Sequence, residues 1–282
     1  MSFRDLLLPV VSYPDATPDR AVAAGAALAR RFGDGVTALA LKVDIKTPRN
    51  RLANALIGLE DMVRAEEARS AALAKASIEQ FTAAAARAGL RANAIVETVP
   101  IYLQGERITE HARTRDLTLL ATGPSVLADV GVAEAVLFGS GRPMVIFPEE
   151  AEVLAGDRFD EVAIAWDGSR TAARAVADAL PVLKAAGSVR ILVVTDEKPA
   201  AVPGLATDLV RHLQAHAVEA KVTEISAGGE PIGRIIRAFG AEKQVDLLVM
   251  GGFGHSRARE FVLGGATAAL LDRPPCPVLM SH

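Results

Sequence analysis

The chain has 282 residues, half of them hydrophobic and 23% charged, with a net charge of −3. That length suits about two domains, and the balance excludes both a disordered chain and a general nucleic-acid binder, which needs a basic surface. Aromatics at 4% offer few platforms for stacked bases, and a single cysteine, Cys276, excludes an internal disulfide and a cysteine-rich zinc site.

The run from Leu6 to Val11 is short and interrupted by Pro9, which is not a secretory pattern. No apolar stretch approaches the ~18 residues of a membrane span. A cytoplasmic protein without membrane contact is the expectation. Next, RAVAAGAAL (20–28) has a helical pattern, and NRLANALIGLEDMVRAEEARSAALAKASIEQ (50–80) reads as a long helix, taken from Arg51 to Ala86. On that helix Glu60, Asp61, Glu66, Glu67 and Glu79 mix with Arg64, Arg69 and Lys75, as on a solvated, salt-bridged face, while Leu52, Leu56, Leu59 and Val63 can pack on a partner subunit. Two apolar runs follow, in RDLTLLATG (115–123) and GRPMVIF (141–147), and a boundary falls between Pro148 and Gly156.

The second half reads more sharply. Strands are predicted at 162–166, 189–195, 220–225, 246–250 and 277–280, from length and β-branching. Helices are predicted at 170–186, capped by Ser169, and at 207–216, 231–241 and 265–271. The halves echo one another. FRDLLLPVV (3–11) resembles FDEVAIAWD (159–167), RDLTLLATG resembles VDLLVMGG (245–252), and GRPMVIF resembles PCPVLMS (275–281). Alternating strands and helices need right-handed crossovers and produce a mainly parallel sheet covered on both faces. The fold class is therefore α/β, with two tandem doubly wound domains of five strands each, spanning residues 1–150 and 157–282.

One segment carries chemistry. In DLLVMGGFGHSRAREFVLGGATAALL (246–271) an apolar strand runs into Gly251, Gly252 and Gly254, and Gly264 and Gly265 open a helix. Glycine lets a backbone turn sharply and lets a ligand approach, and a helix start offers N–H groups to an anion. Ligands of open α/β sheets lie beyond the carboxyl ends of strands. Asp167 and Val194 sit at two more such ends, so a nucleotide can lie with its base toward Asp167 and Val194 and its phosphates toward Gly254, Gly264 and Gly265. Neither the P-loop nor the G-x-G-x-x-G fingerprint is present, and a tight strand–helix connection is the plain alternative.

The spacing G251-x2-G254-x9-G264, after DLLVM and before RPPCPVLM, resembles the universal stress protein family in its nucleotide-binding form. IAWDGSRTAARAVADAL resembles that family's first strand, Asp-Gly-Ser turn and first helix. The resemblance is close over 158–282 and weak over 1–150, and it implies a tandem protein with an adenine-nucleotide α-hydrolase-like fold. It further implies that Ala165, Asp167 and Val194 hold adenine and ribose. Met250, Gly251, Gly254, His255, Gly264, Gly265 and Ala266 would then hold the phosphates of ATP, ADP or AMP, with Mg²⁺ only as counter-ion. Where the family motif carries Ser or Thr after its third glycine, this chain has Gly265, which removes a hydroxyl donor. A hydrogen bond to a charged group contributes roughly 1.5–3 kcal/mol, so weakened binding is expected. Arg257 and Arg259 can add positive charge.

In the first half Val11 stands where the second has Asp167, and the spaced glycines are missing, with Gly139 and Gly141 coming too late. That half is expected not to bind nucleotide. The family commonly pairs domains through the last strand, which implies an internal pseudo-dimer through Met144–Phe147 and Val278–Met280, and allows a homodimer or an unidentified protein partner. No general base or Mg²⁺-binding carboxylate pair is evident, so the expectation is a stress-response regulator rather than an enzyme, slow ATP hydrolysis aside. The competing expectation is a stress scaffold whose pocket Gly265 has disabled. Cys276 reads as a small core residue and Trp166 as core packing, and His212 and His216, spaced i, i+4 on a helix, lack the carboxylate pattern of a metal site.

Overall fold

The computed structural model describes residues 3–46, 58–123, 130–150, 156–196, 204–252 and 265–282. The first half runs β1 (Leu6–Val11), α1 (Asp19–Phe32), β2 (Gly35–Asp44), α2 (Leu59–Arg87), β3 (Arg91–Pro100), α3 (Gln104–Ala112), β4 (Leu117–Thr122), α4 (Val130–Gly139) and β5 (Met144–Pro148). The second half repeats the order with β6 (Glu161–Ala165), α5 (Arg170–Leu183), β7 (Ser188–Thr195), α6 (Thr207–Ala215), β8 (Ala220–Ser226), α7 (Ile232–Glu242), β9 (Leu247–Gly251), α8 (Gly265–Asp272) and β10 (Val278–Ser281). The long helix begins at Leu59; the expected positions Leu52 and Leu56 lie outside the described residues.

All ten strands join one sheet in the order β3-β2-β1-β4-β5-β10-β9-β6-β7-β8. Within each half every neighbour is parallel. The halves meet antiparallel through β5 and β10, with Val278 opposite Ile146, Leu279 opposite Val145 and Met280 opposite Met144. These are the strands whose pairing the family resemblance implied. Alternation along each strand sends neighbours to opposite faces. Leu6 and Leu8 enter one apolar layer and Leu7 the other. Each layer runs through both halves: Leu119, Phe147, Ile164 and Leu279 share one, and Leu120, Ile146, Ala163 and Met280 share the other.

Two aspartates repeat a fastening. Asp116 Oδ2 accepts the amides of Arg4 (2.8 Å) and Asp5 (3.1 Å), tying the start of β4 to that of β1. Asp246 accepts the amides of Asp160 (2.8 Å) and Glu161 (3.1 Å), tying β9 to β6. Asp246 also meets Arg31 of the first half at 3.3 Å, both side chains being 5% exposed. Beside this pair Phe32 packs on Phe159, ring centroids 5.0 Å apart, and the Arg31 guanidinium lies over the Phe159 ring.

Candidate functional site

In the second half the chain passes from β6 outward to β7 and β8, then returns across β6 to β9. Where connections reverse direction in this way, a crevice opens at the carboxyl ends of the two central strands. Ala165 ends β6 there, in register with Met250 of β9 and Leu192 of β7. Val194 lies near the end of β7, and Gly251 ends β9. The topology thus brings Ala165, Asp167, Val194, Met250 and Gly251 to one edge of the sheet.

The turn after β6 is built by three residues with separate tasks. Asp167 Oδ1 accepts the Ser169 amide (3.0 Å), closing a side-chain turn. Gly168 takes φ +72°, which its lack of a side chain permits. Ser169 caps α5 by accepting the Ala172 amide (3.1 Å), as its position before the helix predicted. Leu205 covers this turn; its Cδ1 would lie 3.2 Å from a Cβ on Gly168. Trp166 is half-buried against the apolar layer, as the core reading expected, and its Nε1 donates to Leu205 O (3.3 Å).

Gly251 has a cause that the sequence reading missed. A Cβ there would lie 2.5 Å from Ala172 N and 2.6 Å from Thr171 Oγ1. The first turn of α5 already fills the space a side chain would need, so the protein's own helix requires glycine at this strand end whether or not a ligand approaches. Helix α8 starts at Gly265, and the amides of its first turn have no acceptors within the helix. Thr267 falls inside α8, as expected. Arg237 donates to Ala269 O (2.9 Å) and fastens α8 to α7. Gly254, His255, Gly264, Arg257 and Arg259 lie outside the described residues.

The strand ends of the first half carry different polar bonds. Thr17 bonds both backbone groups of Val11: its hydroxyl accepts the Val11 amide (2.9 Å) and its amide donates to Val11 O (2.9 Å). Ser12 donates to Leu41 O (2.7 Å), so the 2.7 Å contact between Ser12 and Ser70 takes its hydrogen from Ser70, whose Oγ accepts the Val43 amide (2.9 Å). Glu149 is 2% exposed and pairs with Arg20 at 2.7 Å. Its side chain fills the space where a Cβ on Gly123 would lie.

Other candidates resolve simply. Cys276 is buried, and burial pushes its thiol up to about 12, so it stays protonated at neutral pH and is no nucleophile. The rings of His212 and His216 meet edge to face at 4.8 Å, and among the described residues no group of three or more metal-ligating side chains occurs. One titratable cluster was not read from sequence: Arg107 and His111 of α3 both bond Glu97 on β3, and the Arg107 hydrogen bond chiefly lowers the Glu97 carboxyl. A cavity of about 420 Å³ lies between α6 and β8, lined by Val210, Arg211, Val222 and Glu224 among others. Among the described residues no helix is long and apolar enough to cross a membrane.

No curated protein matches the chain. Among solved structures it is similar to a universal stress protein from Archaeoglobus fulgidus, at 19% identity and TM-score 0.68, covering 99% of this chain and 97% of that one. A putative universal stress protein from Pseudomonas aeruginosa follows at 12% identity and TM-score 0.55, covering 99% and 93%. A functionally unknown protein from the same organism gives 14% and 0.53, covering 99% and 92%. These likenesses establish a shared fold along the whole chain. The family model for the universal stress protein family matches residues 158–282, within the second half. The likeness to the universal stress protein family thus covers the second half, and the shared fold covers both.

Proposed function

We propose that the second half binds an adenine nucleotide, ATP first among them, across the carboxyl ends of β6, β7 and β9, and that the protein acts through this as a cytoplasmic stress-response regulator. The observation that carries the reading is the register at the crossover. Ala165 and Met250 lie side by side, Asp167 follows one and Gly251 ends the other, and the next helix starts at Gly265. On this reading Asp167, Ala165 and Val194 take the base and ribose. The backbone from Met250 to Gly251, with Gly254, His255, Gly264, Gly265 and Ala266, takes the phosphates. A helix start favours an anion by roughly 0.3–1 kcal/mol at an exposed site. Mg²⁺ would come only with the nucleotide.

The first half binds none on this reading: Val11 stands where the second half has Asp167, and its backbone is already bonded by Thr17. The function is a switch rather than catalysis: a ligand that prefers one conformation shifts the population without chemistry. Purified protein is denatured and assayed for released nucleotide, and ATP is titrated calorimetrically. Bound nucleotide or saturable binding is expected. Absence of both at millimolar ATP overturns the reading in favour of an interaction scaffold, which the filling of the Gly251 space by α5 and the glycine at 265 would then explain.

A further inference from the structure

The strand end that starts the glycine-rich segment is held by the first half. A Cβ on Gly252 would lie 2.6 Å from Leu137 Cδ2, and Leu137 belongs to α4 of the first half and is 2% exposed. The next α4 residue, Phe138, meets the His282 ring edge to face, centroids 4.7 Å apart. His282 Nδ1 in turn lies 3.1 Å from Gly252 O, while the Gly252 amide donates to Ser281 O (2.8 Å). Gly252 is thus flanked by a leucine of the first half and by a histidine that meets that half's phenylalanine edge to face. Helix α4 also touches α8, which opens where the segment closes. Gly252 and α8 are therefore both met by one helix of the first half.

We propose that Leu137 and Phe138 are positioning residues for the nucleotide site of the second half, with α4 serving as the abutment that fixes Gly252 and α8. The inference rests on the nucleotide reading of that site. The coupling is reciprocal by linkage: if α4 packing sets ligand affinity, ligand must tighten α4 packing by the same factor.

Gly252→Ala drives a methyl into Leu137, and Leu137→Val withdraws the contacting carbons at nearly conserved total volume. The full chain is made with each change and with both, and also with Phe138→Ala and Phe138→Tyr. ATP affinity is measured by calorimetry, and exchange of the Gly252 backbone amide is followed by NMR without ligand. Gly252→Ala is expected to weaken ATP about tenfold and to speed amide exchange, and added Leu137→Val to restore both to within about twofold, which general destabilisation would not do. Phe138→Ala is expected to weaken ATP about threefold, with Phe138→Tyr close to wild type. If Gly252→Ala does not fold, the two Phe138 variants decide. Wild-type ATP binding with affinity and exchange unmoved by these variants overturns the inference and leaves the nucleotide reading standing. If wild type binds no ATP, the nucleotide reading falls, and exchange alone decides whether α4 holds Gly252: recovery in the double variant supports it, and unchanged exchange overturns it.

Discussion

The two halves carry one strand order and two different corners. At the carboxyl end of β1, Thr17 takes both backbone groups of Val11, Ser12 and Ser70 close on Leu41 and Val43, and Glu149 lies on Gly123. At the carboxyl end of β6, Asp167 holds a tight turn into a capped helix, and the chain continues from Gly251 and Gly252 into a segment that ends at α8. The sheet dictates where a crevice forms in each half. The described residues at the two corners differ in a few polar side chains and in the turn that follows the first strand.

The contrast is best broken at its largest predicted difference. Asp246→Ala leaves Arg31 buried without its carboxylate and two strand-start amides without an acceptor, and should cost about 3–5 kcal/mol. Asp116→Ala removes the matching fastening without a buried cation and should cost about 1–2 kcal/mol. Urea unfolding of both variants checks the ratio; equal losses would mean that the Arg31 contact contributes nothing.

Next in size is the strand-end residue itself. Gly251→Ala forces a methyl against Thr171 and Ala172 and should cost about 1–3 kcal/mol. Ala121, the matching residue of β4, should tolerate glycine at about 1 kcal/mol. Urea midpoints check both changes. A third comparison moves the carboxylate between halves. On the proposed function, Asp167→Ala should weaken ATP about tenfold, the scale of one hydrogen bond to a charged group, while Val11→Asp should confer no second site because Thr17 already holds that backbone. Calorimetric stoichiometry reads both; two bound nucleotides in Val11→Asp would show that closure of the first corner is not what silences it.

The smallest effect is on pH dependence. Burial lifts the Asp246 carboxyl above its ordinary value, against the pull of the Asp160 and Glu161 amides and of Arg31. A raised folded-state value favours the protonated form, so this contribution is fullest below the unfolded value of 3.8 and is lost as pH rises through the folded one. Asp246→Asn should remove that downward slope from a plot of stability against pH, starting near 4, and a slope identical to wild type would assign it elsewhere.

Much of this was legible in the sequence because the signals were local or repeated. The strands from 162 to 280 and the Ser169 cap follow from short apolar runs and turn residues, while the pairing of Met144–Phe147 with Val278–Met280 was implied by the family resemblance. The echo even displayed the paired aspartates, since RDLTLLATG and VDLLVMGG each place one before the buried strand. What it hid was distance. Arg31 and Asp246 meet across more than half the chain, and no periodicity announces a contact between an α1 terminus and a β9 start. Gly251 illustrates the other difficulty: its residue type was noticed and assigned to ligand approach, whereas the first turn of α5 also requires it. A glycine in sequence says that something comes close, but not what.

The antiparallel seam has a consequence for assembly. Because β5 and β10 face each other in mid-sheet, neither can recruit a strand from another molecule. Polymerisation through those strands is closed off by the chain's own continuity. Among the described residues, strand addition from outside is left to the two rims, β3 and β8, each with a strand neighbour on one side only.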